Sequence, residues 1–93
     1  MDDLSAFARD VLYIISGNPE IKGTKISEIA GRYYGEEIYN SRLYPVLTDL
    51  DERGLIKKEK RDDRTNQHTI TPAGEEALLT RREWENEMAD VDW

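Results

Sequence analysis

Cysteine is absent from this sequence, and histidine occurs only once, as His68. Without cysteine the chain can form no disulfide, no thiolate nucleophile and no sulfur-ligated metal site. One histidine without cysteine partners cannot supply the several ligands of a structural zinc ion. We therefore expect no metal and no cofactor. For His68 we expect packing beside Ile70, and a pH-sensing role is the alternative.

Long apolar runs are also missing, and the longest one covers only residues 11–15. A helix that crosses a bilayer needs about 20 apolar residues, and the acidic N-terminus is unlike a secretory signal. No Walker, dinucleotide-binding or nucleophile-elbow signature is present. The acidic pairs at 36–37 and 62–63 fall in turns, where they are expected to face solvent. We therefore expect a cytoplasmic protein with no membrane partner and no enzymatic activity.

The chain has 93 residues, of which 38% are hydrophobic and 35% are charged. This length and composition predict a single domain with a modest core, to which a dimer interface would add buried surface. The net charge is −7, with 20 acidic residues. At about 1 M salt the Debye length is only about 3 Å, so a strongly acidic surface is tolerated there. This composition favours a salt-loving host, although an acidic protein of an ordinary host remains an alternative.

The basic charge is concentrated in residues 53–66, which contain six basic and three acidic residues. This segment carries +3, so the rest of the chain carries −10. Such a distribution is compatible with a nucleic-acid partner even though the whole chain is acidic.

Two helices are predicted in the first third of the chain by apolar residues at three- and four-residue spacing. The first helix ends before residues 17–19, with Ser5 suited to its start. The second begins at Gly23 or Thr24, ends at Gly35 and should turn Ile26, Ile29, Ala30 and Tyr33 inward. The apolar positions of the first helix are Leu4, Phe7, Ala8, Val11, Leu12 and Ile15.

A third helix is predicted by the apolar stripe of Leu43, Val46, Leu47 and Leu50. Asn40 or Ser41 can cap its start, and Gly54 can adopt the left-handed conformation that ends it. Pro45 lies within this helix and is interpreted as tolerated strain. The second and third helices together fit a helix-turn-helix, in which the third helix reads DNA.

A β-hairpin is predicted next, with strands at 55–60 and 67–71 and a polar, basic turn at 61–66. A helix-turn-helix followed by a basic hairpin is a winged helix, whose hairpin reaches the DNA backbone or minor groove. A charge run of this kind can also be a solvated loop.

Thr71 and Pro72 suit the start of a last helix that continues to about residue 90. Ala77, Trp84 and Val91 are seven residues apart, with Arg81 and Met88 at the other seam positions. We interpret this imperfect heptad stripe as a dimerisation helix. A helix packed on its own domain is the alternative.

Three segments resemble PadR-type transcriptional regulators: residues 41–47 (SRLYPVL), residues 50–56 (LDERGLI) and residues 64–74 (RTNQHTITPAG). The resemblance spans roughly residues 5 to 80 in matching order and is strongest to short, acidic members from halophilic archaea. It implies a mainly α fold with a small β-hairpin (α+β): a winged helix-turn-helix at 1–71 and a C-terminal dimerisation helix at 72–93. It also implies that the first helix contributes to the dimer and that the protein represses transcription.

The expected function is sequence-specific binding of double-stranded DNA by a homodimer at a palindromic site. Recognition-helix contacts are expected from Asn40, Ser41, Arg42, Tyr44, Pro45 and Thr48, with Arg42 the first choice for a base edge or a phosphate. Contacts from the second helix are expected from Thr24 and Lys25. Contacts from the wing are expected from Lys58, Lys60, Arg61, Arg64, Thr65 and Asn66. The dimer interface is expected to contain Leu4, Phe7, Val11, Ala77, Arg81, Trp84, Met88 and Val91.

Two other functions fit the same sequence. A winged helix can serve protein–protein contact, in which case neutralising the basic wing would leave its function intact. A small-molecule effector could instead act at the dimer interface, near Trp84 and the first helix.

Overall fold

The computed structural model describes residues 4–89 and contains four helices and three short strands in that range. Their order is α1 (Ala6–Gly17), β1 (Ile21–Lys22), α2 (Gly23–Tyr34), α3 (Asn40–Glu52), β2 (Ile56–Lys60), β3 (Asn66–Ile70) and α4 (Pro72–Ala89). This α+β arrangement confirms the predicted winged-helix fold. No helix in the described part of the chain is long and apolar enough to cross a membrane.

Helix α1 forms the centre of the core. Ser5 caps it by accepting a hydrogen bond from the Ala8 amide at 3.1 Å. Val11, Leu12 and Ile15 are completely buried, because their three- and four-residue spacing turns them to one side of the helix. Helices α2 and α3 and the base of the sheet complete the core with Ile26, Leu43, Leu50 and Ile56.

Helices α2 and α3 lie where the pattern predicts them, with two differences in detail. Tyr33 is 79% exposed, so the prediction that it points inward is wrong; Tyr34 packs against the core instead. Helix α3 begins at Asn40 with Tyr39 as its cap residue, so neither Asn40 nor Ser41 caps it. Pro45 therefore lies in the second turn of α3. Gly54 has φ +75°, the left-handed conformation expected at the end of this helix.

The sheet contains one strand more than the predicted hairpin. Strands β2 and β3 pair antiparallel, and β1 adds to the other side of β3, giving the order β1-β3-β2. The sequence pattern predicts only a connection at 17–23, because a two-residue strand has no measurable alternation. Ile21 and Lys22 become a strand because the outer edge of β3 offers them hydrogen-bonding partners.

Helix α4 is anchored on the domain through its first two turns. The Thr71 hydroxyl accepts from the Gly74 amide at 3.1 Å, as expected for the cap before Pro72, and donates to the Gly54 carbonyl at 2.6 Å. Gly74 and Leu78 are buried, and no later residue of the described part of α4 is buried. The predicted contact of Val91 lies outside the described residues.

Candidate nucleic-acid interface

The exposed side of α3 carries the side chains that the sequence predicts to face DNA. Ser41, Tyr44 and Thr48 are exposed, and Tyr44 is 53% exposed despite its large ring. They are exposed because Leu43, Leu47 and Leu50 fix the opposite side of the helix in the core. Asn40 and Pro45 are exposed on the same helix.

Arg42 is also on α3, but its guanidinium is held by groups of the same protomer. Its Nη1 lies 2.8 Å from Oε1 of Glu36. Its Cζ lies 4.1 Å from the ring centre of Phe7 and 5.6 Å from that of Tyr34. An ion pair combined with two cation–π contacts ties the start of α3 to α1 and to the end of α2.

Tyr34 extends this cluster to α1. Its hydroxyl donates a hydrogen bond to Oδ2 of Asp10, and its ring lies 6.0 Å from that of Phe7. Partial burial and the bond to Asp10 raise the pKa of Tyr34 to about 12. Helix α3 is therefore oriented partly by residues of α1, which lie outside the helix-turn-helix.

The start of α2 faces the exposed side of α3. A Cβ placed on Gly23 would lie 3.7 Å from Cε1 of Tyr44, which shows how closely the two helices approach. Thr24 and Lys25 are both exposed at this end of α2. Nζ of Lys25 lies 3.3 Å from Oε1 of Glu28, an exposed ion pair that holds the lysine only weakly.

The tip of the wing, residues 61–65, is an ordered turn. The Thr65 carbonyl accepts from the Arg61 amide at 2.8 Å, and Oδ1 of Asp62 accepts from the Arg64 amide at 2.9 Å. The latter bond is the main cause of the lowered pKa of Asp62. Asp62 therefore shapes the turn through its carboxylate while Arg61 and Arg64 remain on the surface.

The basic residues of the wing divide into paired and unpaired groups. Lys57 lies 3.8 Å from Glu59, and Arg53, at the end of α3 before the wing, lies 2.9 Å from Asp49. Within residues 4–89, no ion pair involves Lys58, Lys60, Arg61 or Arg64. These four cations are exposed and available to an external anion.

A cleft of about 540 Å³ separates α3 from the wing, and we call it the wing cleft. The sequence predictions locate most of its functional lining: Thr24 from α2, Tyr44 and Thr48 from α3, and Lys58 and Arg64 from the wing. Thr65 and Asn66 also line it, whereas Lys25, Lys60 and Arg61 do not. Lys22 lines the cleft as well and was not predicted; its only sequence signal is a cation immediately before a helix start.

His68 lies at the base of this cleft on the central strand. It is 3% exposed, and Nδ1 has no hydrogen-bond partner in the described part of the chain. It pairs across the sheet with Ile21 on one side and Lys58 on the other. Burial, followed by the nearby charge of Lys58, lowers its pKa, and Asp51 partly opposes this effect.

The residues predicted for the second site, the dimer interface, are partly buried in the protomer and partly exposed in the structure. Leu4 and Val11 are buried within the protomer, 6% and 0% exposed, so they offer little or no surface to a partner. Phe7 is half-buried under Arg42. On α4, Trp84 and Met88 are 49% and 58% exposed, and the guanidinium of Arg81 lies 4.6 Å from the Trp84 ring centre.

Comparisons with known proteins agree with this geometry. The family model described as the transcriptional regulator PadR-like family matches residues 11–80. RosR of Halobacterium salinarum, crystallised from NaBr, is 36% identical with a TM-score of 0.89, and the match covers 98% of this chain and 82% of RosR. No curated protein matches the chain.

Two more distant structures share the fold. A PadR-like transcription factor from Bacteroides fragilis is 16% identical, with a TM-score of 0.79 over 90% of this chain and 84% of that protein. FabT of Streptococcus pneumoniae, solved in complex with DNA, is 16% identical, with a TM-score of 0.73 over 95% of this chain and 59% of FabT. The family match and the identity to RosR show that the chain belongs to the PadR-like family of transcriptional regulators.

Proposed function

We propose that this chain binds double-stranded DNA sequence-specifically, as a homodimer on a two-fold-symmetric site. The observation that carries the proposal is the wing cleft: the exposed side of α3 and unpaired cations of the wing line one cleft. A helix that enters the major groove next to a cationic arm that reaches the backbone is how winged helices engage a duplex. FabT, which has the same fold, was solved in complex with DNA.

The base-reading residues are proposed to be Ser41, Tyr44 and Thr48, with Asn40 and Pro45 beside them. The hydroxyl groups donate to base edges or phosphates, and apolar atoms of Tyr44 contact thymine methyl groups. We assign Arg42 to positioning α3 instead of reading a base, because Glu36, Phe7 and Tyr34 already hold its guanidinium.

The phosphate contacts are proposed to come from the wing and from α2. Lys58, Lys60, Arg61 and Arg64 supply unpaired positive charge, and Thr65 and Asn66 add uncharged donors. Thr24 and Lys25 lie at the start of α2, where the helix dipole favours an anion. Such contacts fix the register of the protein on DNA without reading its sequence.

The dimer is proposed to form through α4. Ala77, Arg81, Trp84 and Met88 follow one seam, and no described residue of α4 after Leu78 is buried. Exposed Trp and Met on one stripe are typical of a helix–helix interface. Half-buried Phe7 is proposed to contribute from α1, whereas buried Leu4 and Val11 support α1 from within the protomer.

A two-fold dimer would present its two recognition helices to major grooves about 34–36 Å apart, one helical turn of DNA. We propose that it acts in the cytoplasm as a repressor, since a bound dimer of this kind would cover promoter DNA.

A second candidate is regulation by a small molecule at the dimer interface. The observation that favours it is a cleft of about 460 Å³ between α1 and the end of α4, which Tyr13, Trp84 and Met88 help to line. An effector there would change the relative position of the two recognition helices. Quenching of tryptophan fluorescence by an apolar ligand, lost in Trp84→Phe, would support this candidate.

The test of DNA binding is affinity selection from random duplexes in concentrated KCl. The wild type is compared with Arg61→Ala/Arg64→Ala and with the matched control Arg32→Ala/Lys57→Ala. The control loses the same charge, but from residues that pair with Glu28 and Glu59. We expect a palindromic motif from the wild type and the control, and the same motif with a lower yield of bound DNA from the wing variant. Absence of a motif at every salt concentration, with a folded dimer, would overturn the proposal.

A further inference from the structure

His68 and the wing cleft lie on one face of the sheet. Near the base of the hairpin this face packs in the core, and further along it is polar. Ile56 pairs with Ile70 at the base of the hairpin, Lys58 pairs with His68 in the middle, and Lys60 pairs with Asn66 near the tip. Directly paired residues share a face. The face that is apolar beneath α4 therefore becomes cationic and hydrogen-bonding where it meets α3.

The composition of the cleft wall is that of an anion site. Lys22, Lys58 and Arg64 line it, and hydroxyls come from Thr24, Tyr44 and Thr48. Among the described residues, no aspartate or glutamate lines it; Asp51 acts on His68 and Asp62 interacts with Lys22 from outside the lining. Several cations with several hydroxyl donors around a cleft free of carboxylates match a phosphate group.

The backbone at the start of α2 adds positive electrostatic potential to the cleft. Helix α2, 12 residues long, begins at the cleft with Gly23; its cap residue Lys22 makes no side-chain cap bond, and its first turn holds no acid. A helix start of this kind favours an anion through its free amides and its dipole.

His68 supplies the independent indication of a ligand. The residue is only 3% exposed and lines the cleft, and its buried Nδ1 has no hydrogen-bond partner among residues 4–89. Buried polar atoms are nearly always hydrogen-bonded, and an unpaired one at a cleft wall signals a missing partner. An imidazole nitrogen that carries a proton can donate to a phosphate oxygen.

We propose that the wing cleft is a phosphate-binding site in which Lys58, Arg64, the start of α2 and His68 surround a single phosphate group. This inference rests on the proposed function and deepens it: in the DNA complex the occupant is one backbone phosphodiester, and in the free protein it is free phosphate. The site is distinct from the exposed contacts of Lys60 and Arg61, because a phosphate in the cleft touches three elements at once.

The single histidine makes this testable by proton NMR without isotope labelling, since its ring protons give one set of signals. Inorganic phosphate is titrated against KCl at matched ionic strength. In the wild type the His68 signals should shift and saturate, and the pKa of His68 should rise, because a bound anion favours the imidazolium. The charges that face His68 are the same in the phosphate and the KCl titrations, so their effect on its pKa cancels in the comparison. These charges are Lys22, Lys58, Arg64 and Asp51.

Lys58→Gln and Lys57→Gln form the matched pair. They remove the same charge from adjacent positions of β2, but only Lys58 lines the cleft. Lys58→Gln should weaken phosphate binding by about tenfold or more, the loss expected for one charge-assisted hydrogen bond, and Lys57→Gln should leave it unchanged. Arg64→Gln serves as a second cleft variant. An unsaturable drift of equal size in all variants would overturn the phosphate site.

A parallel titration with duplex DNA distinguishes a backbone phosphate from free phosphate. It also tests the phosphate site separately from the proposed DNA-binding function. DNA that shifts the His68 signals and displaces inorganic phosphate supports a backbone phosphate in the cleft. DNA that binds, by fluorescence anisotropy, without affecting His68 or its phosphate overturns that placement and leaves the proposed function intact. Saturable phosphate binding with no DNA binding at any salt supports the site and overturns the proposed function.

Discussion

Arg42 illustrates, at the scale of the residue, how the fold brings neighbours to a side chain that the sequence pattern does not show. The sequence predicts it as a DNA contact because it lies on the polar side of a recognition helix. The structure engages it with Glu36 at 2.8 Å and with the ring of Phe7 at 4.1 Å. A sequence pattern gives the side of a helix on which a residue lies, but not the neighbours that another helix brings to it.

Arg64 carries the first prediction. It has no ion-pair partner among the described residues and lines the wing cleft. If Arg64 contacts only phosphate, Arg64→Ala should weaken binding to all DNA sequences by a similar factor. The slope of log K against log salt should fall by about 0.9, the value for one phosphate contact. Fluorescence anisotropy on specific and random duplexes checks this, and loss on one sequence alone would instead indicate base readout.

Tyr34 carries a prediction about pH. Its pKa is raised to about 12 in the folded protein, whereas an unfolded tyrosine titrates near 10.0. Between these values the unfolded chain binds fewer protons, so the stability that the neutral Tyr34–Asp10 bond provides is present below pH 10 and is lost as pH rises through about 12. Urea unfolding of the wild type and Tyr34→Phe between pH 8 and about 11.5 should show a steeper loss in the wild type. Parallel curves would contradict the assignment.

At the scale of the elements, the packing of α4 on the domain depends on the close approach of Gly74 to Leu55 and Ile70. A Cβ on Gly74 would lie 2.2 Å from the Leu55 carbonyl oxygen and 2.7 Å from Cγ1 of Ile70. Only glycine lets the first turn of α4 rest on the chain between α3 and β2, and this contact fixes the position of the start of the helix on the domain. The sequence shows the Thr-Pro start of α4 but gives no sign of this packing.

Gly74→Ala should therefore destabilise the protein in spite of alanine's higher helix propensity. Overpacking against a backbone carbonyl costs roughly 1–3 kcal/mol of unfolding free energy. Gly17→Ala is the control, because a Cβ at Gly17 would meet nothing within 4 Å. That variant should be neutral or stabilising by up to about 1 kcal/mol. Urea denaturation measures both variants, and equal effects would contradict the packing argument.

For the whole molecule, the proposed dimer depends on which side of α4 is apolar. Met88 and Leu79 are each 58% exposed, but Met88 follows the seam of Trp84 while Leu79 lies on the opposite side of the helix. Met88→Glu should raise the dimer dissociation constant at least tenfold, about 1.4 kcal/mol, because it puts an unpaired charge into the interface. Leu79→Glu should not. Sedimentation at several concentrations tests this, and equal behaviour of the two variants would place the interface elsewhere.

The sequence alone determined the four helices and the hairpin of this protein, and the order in which they follow one another. Its three- and four-residue spacing located four helices, its turn residues located the hairpin, and its charge distribution marked the wing. These features are local: each depends on residues within a few turns of one another, so a linear pattern contains them. The resemblance to PadR regulators added the family, and the family match confirms it.

Only the tertiary structure decided the strand pairing, side-chain orientations and long-range contacts that a sequence pattern does not contain. It added β1 to the edge of β3, moved Tyr33 outward, held Arg42 against Phe7, and brought Lys22 and His68 to one cleft. Each of these outcomes depends on residues far apart in the chain, such as Ile21 and His68, that meet only when the core is formed. The physical reason is that strand pairing and side-chain packing depend on which distant residues come into contact, and only the folded chain determines those contacts.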